Sequence, residues 1–141
     1  LVVLRVPGIY AANRLPIDRL RAGTPVLCDE DDVYTNHVHA DDLAAITLRA
    51  LRSDAPPGAY NASDDSQLKM GQWLDLVADH FGLPRPPRVA RRDAAGRIPP
   101  ALLSFMSESR RLDNRKMKGL LGVRLRYPTV YDGLRAATQA A

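Results

Sequence analysis

The sequence predicts an α/β fold in which short strands come first and the helical share rises toward the C-terminus. Residues 1–6 form a nearly continuous aliphatic run that Pro7 and Gly8 end, and such runs are typical of a strand covered on both faces in a parallel sheet. From Asp41 the hydrophobic period changes to that of a helix. This order, with strands separated by helices, indicates an α/β chain.

Further strands are predicted at residues 25–28, 33–39 and 59–62, with the acidic residues 29–32 forming a turn between the first two. A short helix is predicted to begin near Pro16 and to end at Gly23.

Two longer helices follow in the middle of the chain. The first carries Asp41 or Asp42 as its N-cap, and its predicted buried face holds Leu43, Ile46, Thr47, Ala50 and Leu51. The second has N-cap candidates at residues 63–66 and ends at Gly82. Its apolar stripe consists of Met70, Trp73, Leu74, Val77, Ala78 and Phe81.

Three helices are predicted in the last third of the chain. A short one runs from Pro99 to Phe105. The next is capped by Asp113 or Asn114, ends at Gly122 and carries Met117, Leu120 and Leu121. The last begins with a capping box of Thr129 and Asp132, and its inward positions are Tyr131, Leu134 and Ala137.

The charge of the chain does not indicate a nucleic-acid partner. The net charge is +4 and the pI is near 9.6, but the basic residues are scattered. The densest basic stretch, residues 85–97, is interrupted by prolines and has no aromatic residue on which bases could stack. We therefore interpret it as a solvated loop.

No apolar run approaches the ~20 residues that span a bilayer, so no membrane partner is expected. Cys28 is the single cysteine, which excludes an internal disulfide and agrees with a reducing cytoplasm. It has no basic neighbour to activate it, so we interpret it as a small packed residue. Because the chain opens with Leu1 inside a predicted buried strand, we expect a fragment, a processed product or a shortened form of a longer protein.

Four segments together resemble the second half of the extended or atypical short-chain dehydrogenase/reductases, the NAD-dependent epimerase/dehydratase family. They are Leu-Arg-Val-Pro-Gly-Ile-Tyr at residues 4–10, Val-His-Ala-Asp-Asp-Leu-Ala at 38–44, Gly-Ala-Tyr-Asn-Ala-Ser-Asp-Asp at 58–65, and Asp-Asn-Arg-Lys-Met at 113–117 with the ending at 127–134. Their order and spacing cover nearly the whole chain.

The resemblance implies late strands of a Rossmann-type parallel sheet plus a small, mainly helical substrate lobe. It also implies that residues 1–141 are the C-terminal part of such a domain and are incomplete as a domain, because the N-terminal cofactor-binding half is absent. The family's glycine-rich phosphate turn and its Tyr-x-x-x-Lys pair do not occur in the chain. No catalytic residue is therefore expected.

The resemblance also suggests which residues meet ligands. Pro7, Gly8 and Ile9 are the predicted contacts to the nicotinamide of NAD or NADP in the complete protein. The predicted contacts to a small-molecule substrate are Asn13, Arg14, Tyr34 and Asn36. The expected partners are the missing N-terminal half or a second copy, with self-association of the chain.

Two departures from the family argue against a sugar nucleotide as substrate. The chain has Tyr-Ala-Ala-Asn at residues 10–13, where many sugar-nucleotide members have Tyr-Gly-Pro-Gly. It also lacks the Arg that precedes the His-Val-x-Asp stretch and holds the diphosphate, since residues 35–37 are Thr, Asn and His. The expected substrate is a small hydroxyl- or carbonyl-bearing molecule.

Other hypotheses remain open at this point. The chain could be a non-catalytic binding or scaffold protein derived from the same family. His37 and His39, followed by Asp41 and Asp42, could hold a metal as in a hydrolase, because side chains at i and i+2 share one face of a strand. We favour a structural role for His39 and expect no metal.

The chain alone is predicted to bind neither NAD nor NADP appreciably. The turn that cradles the phosphates is missing, and the contacts at residues 7–9 offer one or two hydrogen bonds of ~1 kcal/mol each. Calorimetric titration of the chain with each cofactor checks this, and micromolar affinity for either would contradict it.

Overall fold

The computed structural model describes residues 1–140, which form two compact units. Unit 1 contains Leu1–Arg14, Asn36–Ser66 and the segment from Arg111 onward, and unit 2 contains Leu15–Thr35 and Gln67–Arg110. Each unit is therefore assembled from separate stretches of the chain. No helix within residues 1–140 combines the length and the hydropathy needed to cross a membrane.

The strands are β1 (Val2–Arg5), β2 (Gly8–Tyr10), β3 (Val26–Leu27), β4 (Tyr34–Thr35), β5 (His37–His39), β6 (Gly58–Asn61), β7 (Leu68–Lys69) and β8 (Arg88–Val89). The α-helices are α1 (Ile17–Arg21), α2 (Ala40–Ala50), α3 (Met70–His80), α4 (Pro100–Phe105), α5 (Arg115–Leu121) and α6 (Val130–Ala140). Single 3₁₀ turns occupy Asp29–Asp31 and Arg91–Asp93.

Unit 1 is built on two pairs of parallel strands. β1 pairs with β6 in the register Val2 to Gly58 and Arg5 to Asn61, and β2 pairs with β5. Parallel neighbours require a crossover connection, and α2 lies in the connection between β1 and β6. The predicted α/β class with parallel late strands is confirmed.

The core of unit 1 lies between the β1–β6 pair and the helices α2 and α5. Leu4 of β1, Leu43 and Ala50 of α2, and Met117 of α5 belong to one apolar cluster. Its buried members are Val38, Ile46, Tyr60, Ala62, Met117, Leu121, Val123 and Leu125.

Unit 2 combines two short strand pairs with α3. β3 pairs with β8 in parallel, and β4 pairs with β7 in the antiparallel sense. The predicted apolar stripe of α3 is confirmed at Trp73, Leu74, Val77 and Ala78, all buried, whereas Met70 and Phe81 are half-buried. A second cluster comprises Leu27, Val33, Val89, Ala94, Ile98 and Met106.

The single strand predicted at residues 33–39 is wrong, because the chain divides there into β4 and β5, which pair with different strands. The backbone carbonyl of Asn36 accepts from the N–H of Gly8 at 3.1 Å, and its side-chain oxygen accepts from the N–H of Leu112 at 2.9 Å. These two hydrogen bonds hold Asn36 at the break between β4 and β5. The pattern also missed β2, β7 and β8, which are only two or three residues long.

Two predicted helix caps are wrong. α2 is capped by His39, whose Nδ1 accepts from the N–H of Asp41, and not by Asp41 or Asp42. α3 begins after Lys69, with a capping box that involves Gln72, and not at residues 63–66. By contrast, one half of the capping box predicted for the last helix is confirmed, since Oδ2 of Asp132 accepts from both the N–H and the hydroxyl of Thr129.

Three positions assigned to buried helix faces are exposed. Leu51 follows the last residue of α2 and is 77% exposed, and Thr47 is exposed as well. Tyr131 is 48% exposed because the buried stripe of α6 runs through Val130, Leu134 and Ala137. The interval of three to four residues between these buried positions places Tyr131 outside the stripe.

Replacing Trp73 by Ala should lower the free energy of unfolding by ~3–5 kcal/mol, the range for truncating a core Trp. The side chain is 6% exposed and packs in the apolar stripe of α3. Chemical denaturation of both proteins measures the difference, and a loss below about 1 kcal/mol would contradict a core role for α3.

Candidate functional site

The predicted cofactor contacts lie in unit 1, where the chain leaves the carboxyl end of β1. Ligands of open parallel sheets bind at this end of the strands. Gly8 is exposed and Ile9 half-buried. A Cβ on Gly8 would lie 3.3 Å from the carbonyl oxygen of Asn36 and 3.6 Å from Nδ1 of His37, so glycine allows β2 to approach β5 closely.

Tyr10 fixes the end of β2 inside unit 1. Its hydroxyl donates to the carbonyl of Thr129 at 3.3 Å, and its ring meets that of His39 edge to face at 5.2 Å. A Cβ on Gly133 would overlap the Tyr10 ring, so α6 can pack here only through a glycine. Burial, with a smaller contribution from Asp64, raises the pKa of Tyr10 above its usual range, and the phenol stays protonated at neutral pH.

The two histidines of β5 are buried and neutral. Burial lowers the pKa of His37 to about 4 and also lowers the pKa of His39. The His39 ring stacks on Tyr127 with ring centres 4.0 Å apart, and its Nδ1 caps α2. The structural role favoured for His39 is therefore confirmed. Within residues 1–140, no group of three His, Cys, Asp or Glu side chains could hold a metal ion.

Asp42 joins the start of α2 to the segment that precedes α6. Its carboxylate is buried and accepts from the N–H groups of Arg126 and Tyr127 at 2.8 and 2.9 Å. A buried carboxylate is stable when such donors replace water. The position of the Tyr127 ring over His39 depends on this connection.

Asp64 is a second buried carboxyl group, close to the carboxyl end of β6. It is 4% exposed, and its Oδ1 accepts from the N–H of Ser66 at 2.9 Å. Its Oδ2 is buried without a hydrogen-bond partner in the described part of the chain. Burial, reinforced by the charges of Asp65 and Asp42, raises its pKa to about 7 against the opposing hydrogen bonds from Ser66.

The turn that contains Asp64 is tied to the beginning of α6. The N–H of Asp65 donates to the carbonyl of Pro128 at 2.7 Å, and the hydroxyl oxygen of Ser66 accepts from the N–H of Val130 at 2.9 Å. Asp64 therefore lies in a turn that is bonded to the first residues of α6.

The predicted substrate contacts lie in different places. Asn13 and Arg14 are exposed in a turn of unit 1, which the N–H of Arg14 closes by donating to the carbonyl of Ala11. Asn36 is half-buried in the same unit and adjoins Gly8. Tyr34 belongs to unit 2, where Nζ of Lys69 lies 5.8 Å from the centre of its ring. Their role in substrate binding stays a prediction.

Neither protein-family models nor curated protein sequences match the chain, but solved structures do. A functionally unknown conserved protein from Silicibacter pomeroyi matches with a TM-score of 0.83 and 32% identity over 100% of this chain and 49% of that one. A human epimerase family protein solved with NADPH matches with a TM-score of 0.79 and 16% identity over 99% of this chain and 48% of that one. The UDP-glucose 4-epimerase of Thermotoga maritima, solved with UDP-glucose, matches with a TM-score of 0.69 and 19% identity over 98% of this chain and 44% of that one.

The chain has the fold of part of an epimerase/dehydratase protein. It spans about half the length of each of these solved structures. The fold accounts for the two parallel pairs of unit 1 and confirms the Rossmann-type assignment made from the sequence.

The residues that sequence reasoning missed are the buried polar ones, above all Asp64 and the bonding partners of Tyr10. One signal was available for Asp64, which follows a predicted strand that the resemblance assigns to the same parallel sheet as residues 1–6, so both carboxyl ends should lie at one edge. No local signal could have paired Tyr10 with Thr129 and Gly133, which are more than 100 residues away.

Replacing Asp64 by Asn should change how the stability of the chain depends on pH. The folded pKa of Asp64 is raised to about 7, so its contribution to stability is present at acid pH and is lost as the pH rises from 3.8 to 7. The folded pKa of His37 is lowered to about 4, so its contribution is lost as the pH falls from 6.5 to 4. The two slopes oppose each other between about pH 4 and 6.5.

Asn has the shape of a neutral carboxyl group but does not titrate. The substitution therefore removes the pH dependence of stability that Asp64 contributes. The free energy of unfolding of Asp64→Asn should therefore rise with pH over this interval more steeply than that of the unmodified chain, by up to about 1.4 kcal/mol per pH unit. Urea denaturation at several pH values measures this difference. Asp54→Asn, at an exposed aspartate of unit 1, is the matched control. Equal slopes for Asp64→Asn and the unmodified chain would contradict the assignment.

Proposed function

We propose that the chain is the C-terminal, substrate-side half of an NAD(P)-dependent oxidoreductase or epimerase and that it is inactive alone. Its substrate is a small hydroxyl- or carbonyl-bearing molecule, sugar-like in some members of this fold. The fold shared with epimerase/dehydratase structures supports the general class, and the share of their length supports a missing half.

The observation that carries the proposal is the open edge of β1. The carbonyls of Leu1 and Arg5 accept from Gly58 and Ala62, so the backbone groups of odd-numbered residues point toward β6. Those of Val2 and Leu4 then point to the other edge, because successive residues of a strand alternate. Within residues 1–140, β1 pairs with β6 alone. Parallel sheets are normally extended and covered on both faces, so this edge fits a further strand.

The residues after β1 fit a nicotinamide cofactor. Pro7, Gly8 and Ile9 would offer backbone groups to it, and Gly8 presents no side chain on the exposed surface. NAD or NADP would supply hydride transfer when bound to the complete protein. The chain's own part is to orient this segment, which Tyr10 does by holding the end of β2 against α6. The proton-transferring residues belong to the missing half.

Asn13, Arg14 and Asn36 are the proposed substrate contacts of unit 1, and Tyr34 is the proposed contact of unit 2. Arg14 and Asn13 are exposed, whereas the side-chain oxygen of Asn36 is held by Leu112. His37 is buried and neutral, so residues 35–37 supply no positive charge for a diphosphate. This supports a substrate other than a sugar nucleotide. We also place the protein in the cytoplasm, in agreement with the free thiol of Cys28.

A chimera tests the function. This chain replaces the matching half of the S. pomeroyi protein, and binding of NADH and NADPH is followed by their fluorescence. The chimera should bind one of the two cofactors, whereas the chain alone should bind neither. Phe105→Lys, on an exposed side chain of unit 2, should leave binding unchanged. If the S. pomeroyi protein itself binds a cofactor, a well-folded chimera that binds neither would favour the alternative of a non-catalytic binding or scaffold protein.

The isolated chain should self-associate through the edge of β1. Light scattering of the purified chain at ~100 µM should show species larger than a monomer, because unpaired strand edges recruit other chains. Val3→Lys places a charge on β1, where the side chain is 44% exposed, and should shift the population toward monomer. A monomer with slow amide exchange throughout residues 1–6 would contradict the open edge.

A further inference from the structure

A depression in unit 1 lies between the end of α2 and the end of α5. Its volume is about 250 Å³, and it is lined by Arg49, Arg52, Asp54, Ala55 and Gly119–Gly122. All of these residues belong to unit 1. Pockets for drug-sized ligands have volumes of ~300–1,000 Å³, so this depression has room for a smaller molecule.

Two arginines supply the positive charge of the depression. Arg49 lies in the last turn of α2, and Arg52 follows that helix. Arg52 forms an exposed ion pair with Asp54 at 3.3 Å, whereas Arg49 has no ion pair or hydrogen bond with the residues that the structure describes. Guanidinium groups present several N–H donors in one plane, which match the oxygen atoms of a carboxylate or a phosphate. Arg49 is therefore available to an anion, and the exposed pair of Arg52 is weak enough to be exchanged for one.

The wall opposite the arginines is formed by the end of α5. Gly122 follows the last residue of this helix with a φ of +64°, a backbone conformation that favours glycine. A Cβ at Gly122 would lie 3.4 Å from Nη1 of Arg49, so the glycine leaves the space in front of this guanidinium open. Leu120 adds an apolar side chain that is 52% exposed. The depression thus combines anion-binding donors with an apolar edge, which suits a small organic anion.

The distribution of charge along the chain favours an anion in unit 1. Unit 1 contains eleven Lys or Arg and seven Asp or Glu residues, whereas unit 2 contains nine of each. The net charge of +4 is therefore carried by unit 1, and a field of this sign raises the local concentration of anions.

The depression lies away from the candidate cofactor segment. β2 pairs with β5, and His39 at the end of β5 caps the first turn of α2. The depression is at the other end of this helix, whose 11 residues extend over about 16 Å. An anion bound there would not contact residues 7–9.

We propose that the depression binds a small organic anion, whose phosphate or carboxylate group is held by Arg49 and Arg52 and whose carbon chain lies against Leu120. Asp54 competes with the ligand for Arg52. The inference goes beyond the proposed function, because it involves none of the residues assigned to the cofactor or the substrate.

Calorimetric titration of the chain tests the site, with glycerol 3-phosphate and glutarate as probes at low ionic strength in a buffer without phosphate. At least one probe should bind with a dissociation constant below about 1 mM. Tighter binding of glycerol 3-phosphate identifies a phosphate ligand, and tighter binding of glutarate identifies a carboxylate ligand. The amide signals of Gly119 and Gly122 should shift in NMR spectra as the probe is added.

Three substitutions separate the site from the general positive charge. Arg49→Gln should weaken binding about tenfold or more, because it removes charge-assisted hydrogen bonds. Asp54→Asn should strengthen binding, because it removes the competitor for Arg52. Arg97→Gln removes the same charge from an exposed arginine of unit 2 and should leave binding unchanged. If Arg49→Gln does not fold, Arg49→Lys keeps the charge without the planar fork and should still bind more weakly than the unmodified chain.

Several results would overturn the proposal. Neither probe binding is one, and binding that shifts amide signals elsewhere but not at Gly119 and Gly122 is another. Equal weakening by Arg49→Gln and Arg97→Gln would show attraction by the net charge alone. Sulfate that binds as tightly as both probes would identify an adventitious ion only. These titrations require neither NAD nor NADP, so their failure does not bear on the proposed function.

Discussion

The contact between Asp42 and the backbone of Arg126 and Tyr127 organises unit 1. A carboxylate buried at the start of α2 requires donors, and these two N–H groups come from a segment 84 residues away in the chain. Because that segment is held, Tyr127 stacks on His39, and the carbonyl of Thr129 lies where Tyr10 can donate to it. The position of the end of β2, and with it that of the candidate cofactor segment at residues 7–9, therefore depends on the hydrogen bonds of Asp42, which lies outside that segment.

The buried polar groups around this contact have different roles. Asp42 is satisfied by two donors and acts as a fixed connection. Asp64 is only half satisfied, since one of its oxygens has no partner within residues 1–140, and burial raises its pKa to about 7. Tyr10 and the two histidines are neutral. The polar interior of unit 1 thus combines a fixed connection at Asp42 with neutral rings and with one carboxyl group, Asp64, whose pKa burial raises to about 7.

Much of the fold was predictable where the pattern was long or the chemistry specific. The stripe of α3 spans three turns, so its period was unambiguous, and the capping box of Thr129 and Asp132 uses a short fixed spacing. The division of residues 33–39 into two strands was not predictable, because no proline or glycine interrupts the stretch and the partners of each part lie elsewhere in the chain. The exposure of Leu51 escaped prediction because a periodic pattern does not show where the helix ends.

The candidate site was predictable in position but not in detail. The aliphatic run that ends at Pro7 located the carboxyl end of a strand, which is where ligands meet parallel sheets. The acids and aromatic rings that support it come from four segments, and their mutual distances depend on tertiary packing. Local sequence could not indicate that His39 would cap α2, because a histidine is an uncommon cap and Asp41 stood next to it.

The order of the segments of the two units along the chain determines which unit is completed first during synthesis. Every segment of unit 2 has been synthesised once Arg110 has emerged, whereas unit 1 still lacks α5 and α6 at that moment. Domains generally fold as units during synthesis, the earlier-completed ones first. On the ribosome, unit 2 can therefore form its core before unit 1 is complete, because the N–H groups that bond Asp42 and the carbonyl that accepts from Tyr10 lie after Arg110.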